Sequence, residues 1–461
     1  MLRRLIDFYS DREFYSRLFS FAVPVGLQNL VTTSLNMIGV MMIGQLGDVP
    51  VAAVGLANQI FFLLHLMLFG ITSGCAMFTA QMWGRQDVPG IRRVMGLSIS
   101  LGLAAGLFFT SVAVFAPRFA LGLYSKDPEV IALGSQYLRI YGWAFIFYAI
   151  TLNFSSVLRS IGDVRTPLFV SMSALGLNII LSYLLIFGAL GLPRLGVQGA
   201  ALAAFLSRIA ECAAILWITY RRQSPAAGTP RQLFDIDRAF AARVLKPVLP
   251  VVLNETLWSL GITTCYAIYA RMGTDSLAAM NIASSIENIA LVLFRGIAHA
   301  CAILVGNLIG ANQYEDAYRY VVRSLGLGVA GALLVGGGIL LLSPAVLSLY
   351  KVSPTVIQHA RNILTVVALL LWLRSTYTTL FIGMLRAGGD TRFALVLDAG
   401  IIWVVGVPMA LLGAFVFHFP IHLVYLMVLT EEFTKSALAL TRLGTRRWIH
   451  NLAEEWERGK A

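Results

Sequence analysis

Residues 158–163 read Leu-Arg-Ser-Ile-Gly-Asp, and residues 385–390 read Leu-Arg-Ala-Gly-Gly-Asp. Long apolar runs flank both hexads, and the second begins 227 positions after the first. The echo continues upstream. Pro24 and Pro250 lie 226 positions apart, as do Gly47 and Gly273, Gly70 and Gly296, Gly84 and Gly310, and Pro128 and Pro354. Chance likeness among apolar residues does not hold one offset over about 100 residues, so the chain reads as two copies of one unit.

A spanning helix needs about 20 mostly apolar residues. Twelve segments qualify, near 18–44, 52–80, 94–117, 132–158, 166–189, 196–220, 245–270, 277–309, 324–349, 355–385, 393–415 and 421–441. Outer-membrane strands would be about ten residues long and would alternate in polarity. The expected fold class is therefore all-α, a polytopic membrane protein. Six spans per copy return the second copy in the first one's orientation. The two lobes should then be related by a pseudo-twofold axis along the membrane normal. The longest hydrophilic stretch, 221–246 with Pro225 and Pro230, is read as the linker between lobes 1–225 and 226–461.

Composition agrees. The 461 residues are 58% hydrophobic and 13% charged, with a mean hydropathy of +0.77. Soluble domains sit near 45–50% and 25%, so a soluble enzyme and a disordered chain are both excluded. The net charge of +12 is explained by topology. With the N-terminus inside, inner segments hold 25 Lys and Arg against 6 in outer loops, while Arg139, Arg208, Arg295 and Arg374 lie within spans. That bias predicts both termini in the cytoplasm. No cleavable signal peptide is expected. Cys75, Cys212, Cys265 and Cys301 lie in apolar runs without ligand spacing, which predicts buried thiols. No metal cluster or catalytic constellation is visible.

Two similar bundles suit alternating access. No GxxxxGK[ST] motif occurs, so the classes left are an ion-driven secondary transporter, a facilitator and a flippase. Intramembrane charges are costly and mark function. Glu211 follows Arg208 by three residues, and Glu431 and Glu432 precede Lys435 by four and three; these read as helix-neighbour ion pairs. Glu255 differs, because Val251, Val252, Trp258 and Ser259 occupy its i±3 and i±4 positions. It is the leading candidate to load a proton, or to bind Na⁺ once ionised. Its alternative is neutralisation by Arg295, Arg374 or a polar group on another helix. Glu287 and Asp398 are further candidates for ion coupling. The first half offers only neutral groups in spans one and five, among them Asn29, Asn36 and Asn178. Trp258, Tyr266 and Trp403 add aromatic faces of the kind that attract organic cations.

The chain resembles the multidrug and toxic compound extrusion (MATE) family over about residues 15–450. The likeness rests on Pro24, Ile43-Gly44-Gln45-Leu46-Gly47, the run Ala52 to Gln59, Ala80-Gln81-Met82-Trp83-Gly84, Gly306-Asn307-Leu308-Ile309-Gly310 and the two hexads. The resemblance implies a twelve-span, two-lobed exporter at the cytoplasmic membrane, exchanging H⁺ or Na⁺ inward for drugs or organic cations outward, without a cofactor. Family acids of spans one and five fall at Gly39 and Ser182 here, and one of span ten falls at Ser375; the span-seven Glu is Glu255. The expectation is a rocker-switch antiporter coupled through Glu255, working as a monomer on a lipophilic organic cation, with no nucleic-acid partner. The competing expectation is a flippase or exporter of an anionic or lipid-linked metabolite, resting on the missing acids and on Arg139, Arg295 and Arg374. A transport-dead receptor or scaffold is the third class.

Overall fold

Inside hydrocarbon every backbone N–H and C=O must be satisfied by the chain itself, and a helix does so alone. The computed structural model describes residues 11–350 and 352–454, and within 32–37 the backbone only. Among the described residues there is no β-strand. Twelve spans follow in order: α1 Arg12–Gly44, α2 Asp48–Gly84, α3 Val88–Phe115, α4 Pro128–Tyr141 with Ala144–Ser160, α5 Arg165–Phe187, α6 Val197–Arg221, α7 Arg238–Arg271, α8 Thr274–Gly310, α9 Tyr314–Leu347, α10 Pro354–Arg386, α11 Thr391–Val416, and α12 Ile421–Val428 with Thr430–Thr445. Among the described residues nine of these are long and apolar enough to cross a bilayer, and α4 adds a tenth, bent by 53°. The outer two, α1 and α12, complete the twelve. The last is interrupted at Leu429 and carries Glu431, Glu432 and Lys435, all buried.

The duplication is also written in the backbone. Asp163 and Asp390 donate their N–H to the carbonyls of Leu158 and Leu385 at 2.9 and 3.0 Å, while Gly162 and Gly389 donate to Arg159 and Arg386, each at 3.0 Å. This is a Schellman closure of a helix C-terminus. It requires positive φ, and Gly162 and Gly389 supply it at 95° and 82°. Each hexad is thus a helix stop. Asp163 then begins the next helix, its Oδ1 accepting from the Thr166 N–H at 3.0 Å.

The chain forms two units, Leu27–Val248 and Leu249–Ala461 with the chain up to Gly26. Both changes of unit fall inside a helix, in α1 near Pro24 and in α7 near Pro250. In the first unit Leu64 and Leu68 of α2 pack with Leu138, Phe145 and Ala149 of α4 and Ala201 of α6. In the second, Tyr269 of α7, Ala283 of α8, Ile363 of α10, Ala410 of α11 and Val424 of α12 share one core. There too Phe14, Leu18 and Ala22 of α1 pack with Ala300 and Leu304 of α8. Asp11, ahead of the first span, accepts from the Phe14 N–H at 3.0 Å and from Arg323 Nη1 at 2.6 Å. These bonds, the Phe14 amide foremost, hold its carboxyl below the usual carboxylate range.

Residues 221–246 are seated on α3. Arg92 donates to the Pro225 carbonyl at 3.1 Å, Arg93 donates to the Asp235 carbonyl at 2.6 Å, and Arg93 pairs with Asp237 at 2.9 Å. The α3 residue Gly96 lies so close that a Cβ there would stand 1.7 Å from the Leu233 carbonyl oxygen. The four cysteines are buried and unpaired, as their apolar surroundings predict.

Candidate functional site

Burying a charge in a low-dielectric interior is tolerable only when the charge is paired and hydrogen-bonded. In the second unit each of the three sequence candidates, Glu255, Asp398 and Glu287, is held in such a pair. Glu255 of α7 meets Arg386, the arginine of the second hexad, whose guanidinium also lies 4.4 Å above the Phe381 ring. Both side chains are buried. The neighbour absent along α7 is therefore supplied by α10, and it is Arg386 where the sequence had offered Arg295 or Arg374. Arg386 had been assigned to an inner loop; its π-helical segment Thr379–Arg386 instead turns it into the bundle. π turns are uncommon and concentrate at functional sites.

Asp398 lies on a second π turn, Val396–Gly400 of α11. It accepts from Asn254 Nδ2 of α7 at 3.0 Å, from the Tyr377 hydroxyl of α10 at 2.8 Å and from Lys435 Nζ of α12 at 3.1 Å. Lys435 also stands 3.6 Å from Glu431 Oε1 and 5.2 Å above the Tyr377 ring. It reads in the sequence as the cytoplasmic edge of the last span, yet its side chain is 1% exposed. Glu287 of α8 meets Arg374 of α10, and both its oxygens accept from the Tyr425 hydroxyl at 3.1 Å. Arg374 Nε reaches Glu432 Oε1 at 3.5 Å. Glu432 thus faces Arg374, whereas helical spacing had matched it with Lys435. Arg295 donates to Asn288 at 3.3 Å.

The first unit holds a related, smaller centre. Gln28 donates to Ser171 at 3.2 Å, Ser171 donates to Glu211 at 2.9 Å, and Arg208 pairs with Glu211 at 2.6 Å. The Arg208 guanidinium stacks 4.8 Å from the Tyr148 ring, whose hydroxyl lies 2.6 Å from His65 Nδ1. By the 226 offset Gln28 answers to Asn254 and Asn29 to Glu255; by the 227 offset Ser171 answers to Asp398 and Arg208 to Lys435. Where the family's acids would stand, α1 and α5 instead border an apolar cleft of about 430 Å³, lined by Ile38, Met42, Ile179, Ile180, Tyr183 and Leu184.

Other sequence candidates scatter. Trp403 donates to the Leu257 carbonyl at 3.0 Å and so ties α11 to α7. Trp258 is half-buried one turn from Glu255, and the Tyr266 ring lies 5.8 Å from that of Tyr269. Asn29 and Asn178 are half-buried, and the side chain of Asn36 lies outside the described residues. Ser375 is fully buried, and its Oγ has no hydrogen-bond partner. Sequence reasoning missed Arg386, Tyr377, Tyr425 and His65 as site residues. Apart from the arginine of the duplicated hexad, they carry no local signal.

Fold and buried charges together define a multi-pass helical membrane protein with ion pairs inside its spans. The MatE family model matches the chain twice, over residues 24–184 and 250–412. The chain belongs to this family of multidrug and toxic compound extrusion proteins, and the paired matches begin 226 positions apart, as the sequence repeat does. The chain is 25% identical to the uncharacterized transporter YisQ of Bacillus subtilis, over 94% of each. It is 29% identical to a probable multidrug resistance protein, NorM, of Rhizobium meliloti, over 87% of this chain and 85% of that one. Among solved structures it resembles the Vibrio cholerae MATE transporter VcmN in its bent form, with a TM-score of 0.86 at 20% identity over 97% and 99% of the two chains. A MOP-superfamily transporter from Pyrococcus furiosus, described by the reverse polarity of its binding pocket, gives 0.84 at 21% identity over 93% and 95%. These relatives are transporters, and members of this family are ion-coupled antiporters for small molecules.

Proposed function

We propose that this chain exchanges H⁺ or Na⁺ inward for lipophilic organic cations outward across the cytoplasmic membrane, as a monomer, by rocker-switch movement of lobes 1–225 and 226–461. One observation carries the reading: in a family of antiporters, Glu255 is buried against a guanidinium from another helix. A carboxylate held by a movable partner can trade that partner for a small cation. In the outward-open state H⁺ or Na⁺ neutralises Glu255 and releases Arg386. That change displaces the organic cation, the lobes rock, and the ion leaves on the cytoplasmic side. Asp398 and Glu287 are the auxiliary ion-binding carboxylates. The side chains that α1 and α5 present along the apolar cleft they border suit a lipophilic substrate. On this reading both termini face the cytoplasm, which the Lys and Arg bias supports.

Ethidium efflux from proteoliposomes, with pH and Na⁺ gradients imposed separately, tests this. Efflux should need one gradient and fail in Glu255→Gln. Equal efflux by wild type and variant across pH and Na⁺ would remove the mechanism. The apolar cleft in place of the family's acids favours a second reading, export of an anionic or lipid-linked metabolite. In that case charge reversal at Arg295 and Arg374, and not Glu255→Gln, abolishes transport.

A further inference from the structure

The charges of the second unit do not balance around α12. Glu287, Asp398, Glu431 and Glu432 face two paired cations, Arg374 and Lys435. Arg295, bonded to Asn288, would raise the cations to three at most. All four carboxylates are buried. An unpaired buried carboxylate is far costlier than a neutral acid, so at least one of the four holds a proton.

Geometry narrows the choice to Glu431 and Glu432, each with an Oε2 that has no hydrogen-bond partner, and burial favours Glu431, at 3% exposed against 7%. Asp398 accepts from three donors, and Glu287 takes Arg374 and the Tyr425 hydroxyl, whose single proton its two oxygens share. A carboxylate so supplied is well satisfied as an anion. Glu431 is 3% exposed and has one long contact, 3.6 Å to a lysine already bonded to Asp398. Its Oε2 has no hydrogen-bond partner and is pressed towards Gly406, where a Cβ would lie 2.3 Å away. An independent sign comes from α7. Asn254 is 3% exposed, donates to Asp398, and leaves its own acceptor Oδ1 unpartnered, which marks the same centre as short of a donor. The groups facing Glu431 are Lys435 and Glu432 of α12, Asp398 of α11, Arg374 of α10, and Cys265 and Tyr269 of α7. In the first unit the equivalent centre pairs one acid, Glu211, with one base, Arg208, so the surplus belongs to the second copy.

We infer that Glu431 is an exchangeable proton site of this transporter, and that Lys435 gates it by moving between Asp398 and Glu431. With Lys435 on Asp398, Glu431 is a neutral acid. When Lys435 turns to Glu431, the proton departs and Asp398 keeps its bonds from Asn254 and Tyr377. The inference rests on the exchange reading and deepens it: the coupling ion is H⁺, and Glu431 of α12 is a proton seat in addition to Glu255.

Infrared difference spectra of the purified protein, titrated with pH in H₂O and D₂O, test the site without any substrate. Wild type should show a titrating carboxylic C=O band that shifts in D₂O. The band should vanish in Glu431→Gln, persist but move in Glu431→Asp, and persist in Glu255→Gln. Gly406→Ala leaves every charge in place and should move the band by displacing Glu431. A band of full amplitude in Glu431→Gln, or one lost in Glu255→Gln, overturns the site. Ethidium efflux driven by a pH gradient should be lost in Glu431→Gln. If wild type moves no ethidium, the exchange reading fails, and the infrared result still decides whether Glu431 holds the proton.

Discussion

Removing Arg386 strands a carboxylate. Glu255 has no other ion-pair partner among the described residues, and its side chain is 10% exposed. Breaking a buried pair from one side costs about 3–5 kcal/mol, whereas replacing both partners by neutral groups is often close to neutral. Arg386→Met should therefore lower the thermal unfolding midpoint in detergent markedly, and Glu255→Gln/Arg386→Met should recover most of that loss. The cycle would return a coupling of about 2 kcal/mol or more; additive single effects would show that the contact carries no energy. This pair also marks the limit of what the sequence discloses. Glu255 was legible as a deep carboxylate with no base along its own helix. Its partner lies 131 positions away, and no helical spacing reports a contact that depends on how α7 and α10 pack. Glu432 misled for the same reason: Lys435 stands at i+3, but Arg374 arrives from α10.

At the scale of elements, close approach is decided by glycine. A methyl group on Gly96 would overlap the Leu233 carbonyl, and backbone cannot yield as a flexible side chain does. Gly96→Ala should cost about 1–3 kcal/mol by overpacking and should open residues 221–246 to limited proteolysis. Gly55→Ala, with open space around its Cβ, should be neutral or stabilising by up to about 1 kcal/mol, since alanine is the better helix former. Cleavage at equal rates in both variants would show that the linker is not held by α3. The hexads were legible as elements because a Schellman stop needs a glycine at one fixed place, and the duplicated Gly-Asp prints that need into the sequence. The π turns of α10 and α11 were not, because they leave no mark of composition. Nor was the depth of α12's charges: Glu431, Glu432 and Lys435 read as the edge of a span but lie buried within it.

For the whole molecule two signals carried the reading: apolar run length gave the number of spans, and one offset paired the spans of the two copies. Orientation is the part that the fold leaves open, and it is argued from charge. Arg323, Arg386 and Lys435 are buried and no longer count as loop charges, yet the inner segments still hold 22 Lys and Arg against 6 outside. Translocating such segments is opposed by their charge, so both termini and residues 221–246 should face the cytoplasm. The four native cysteines are buried and should react slowly with polar reagents, so introduced cysteines at exposed positions will dominate labelling. Lys126 and Gln223 are both exposed, on segments assigned to opposite sides. A membrane-impermeant maleimide should label Lys126→Cys in intact cells and Gln223→Cys only after permeabilisation. The reverse pattern would invert the molecule. An inverted molecule would place the hexad turns at Gly162 and Gly389 on the outer face. Labelling of both positions in intact cells would break the even span count, and with it the parallel arrangement of the two copies.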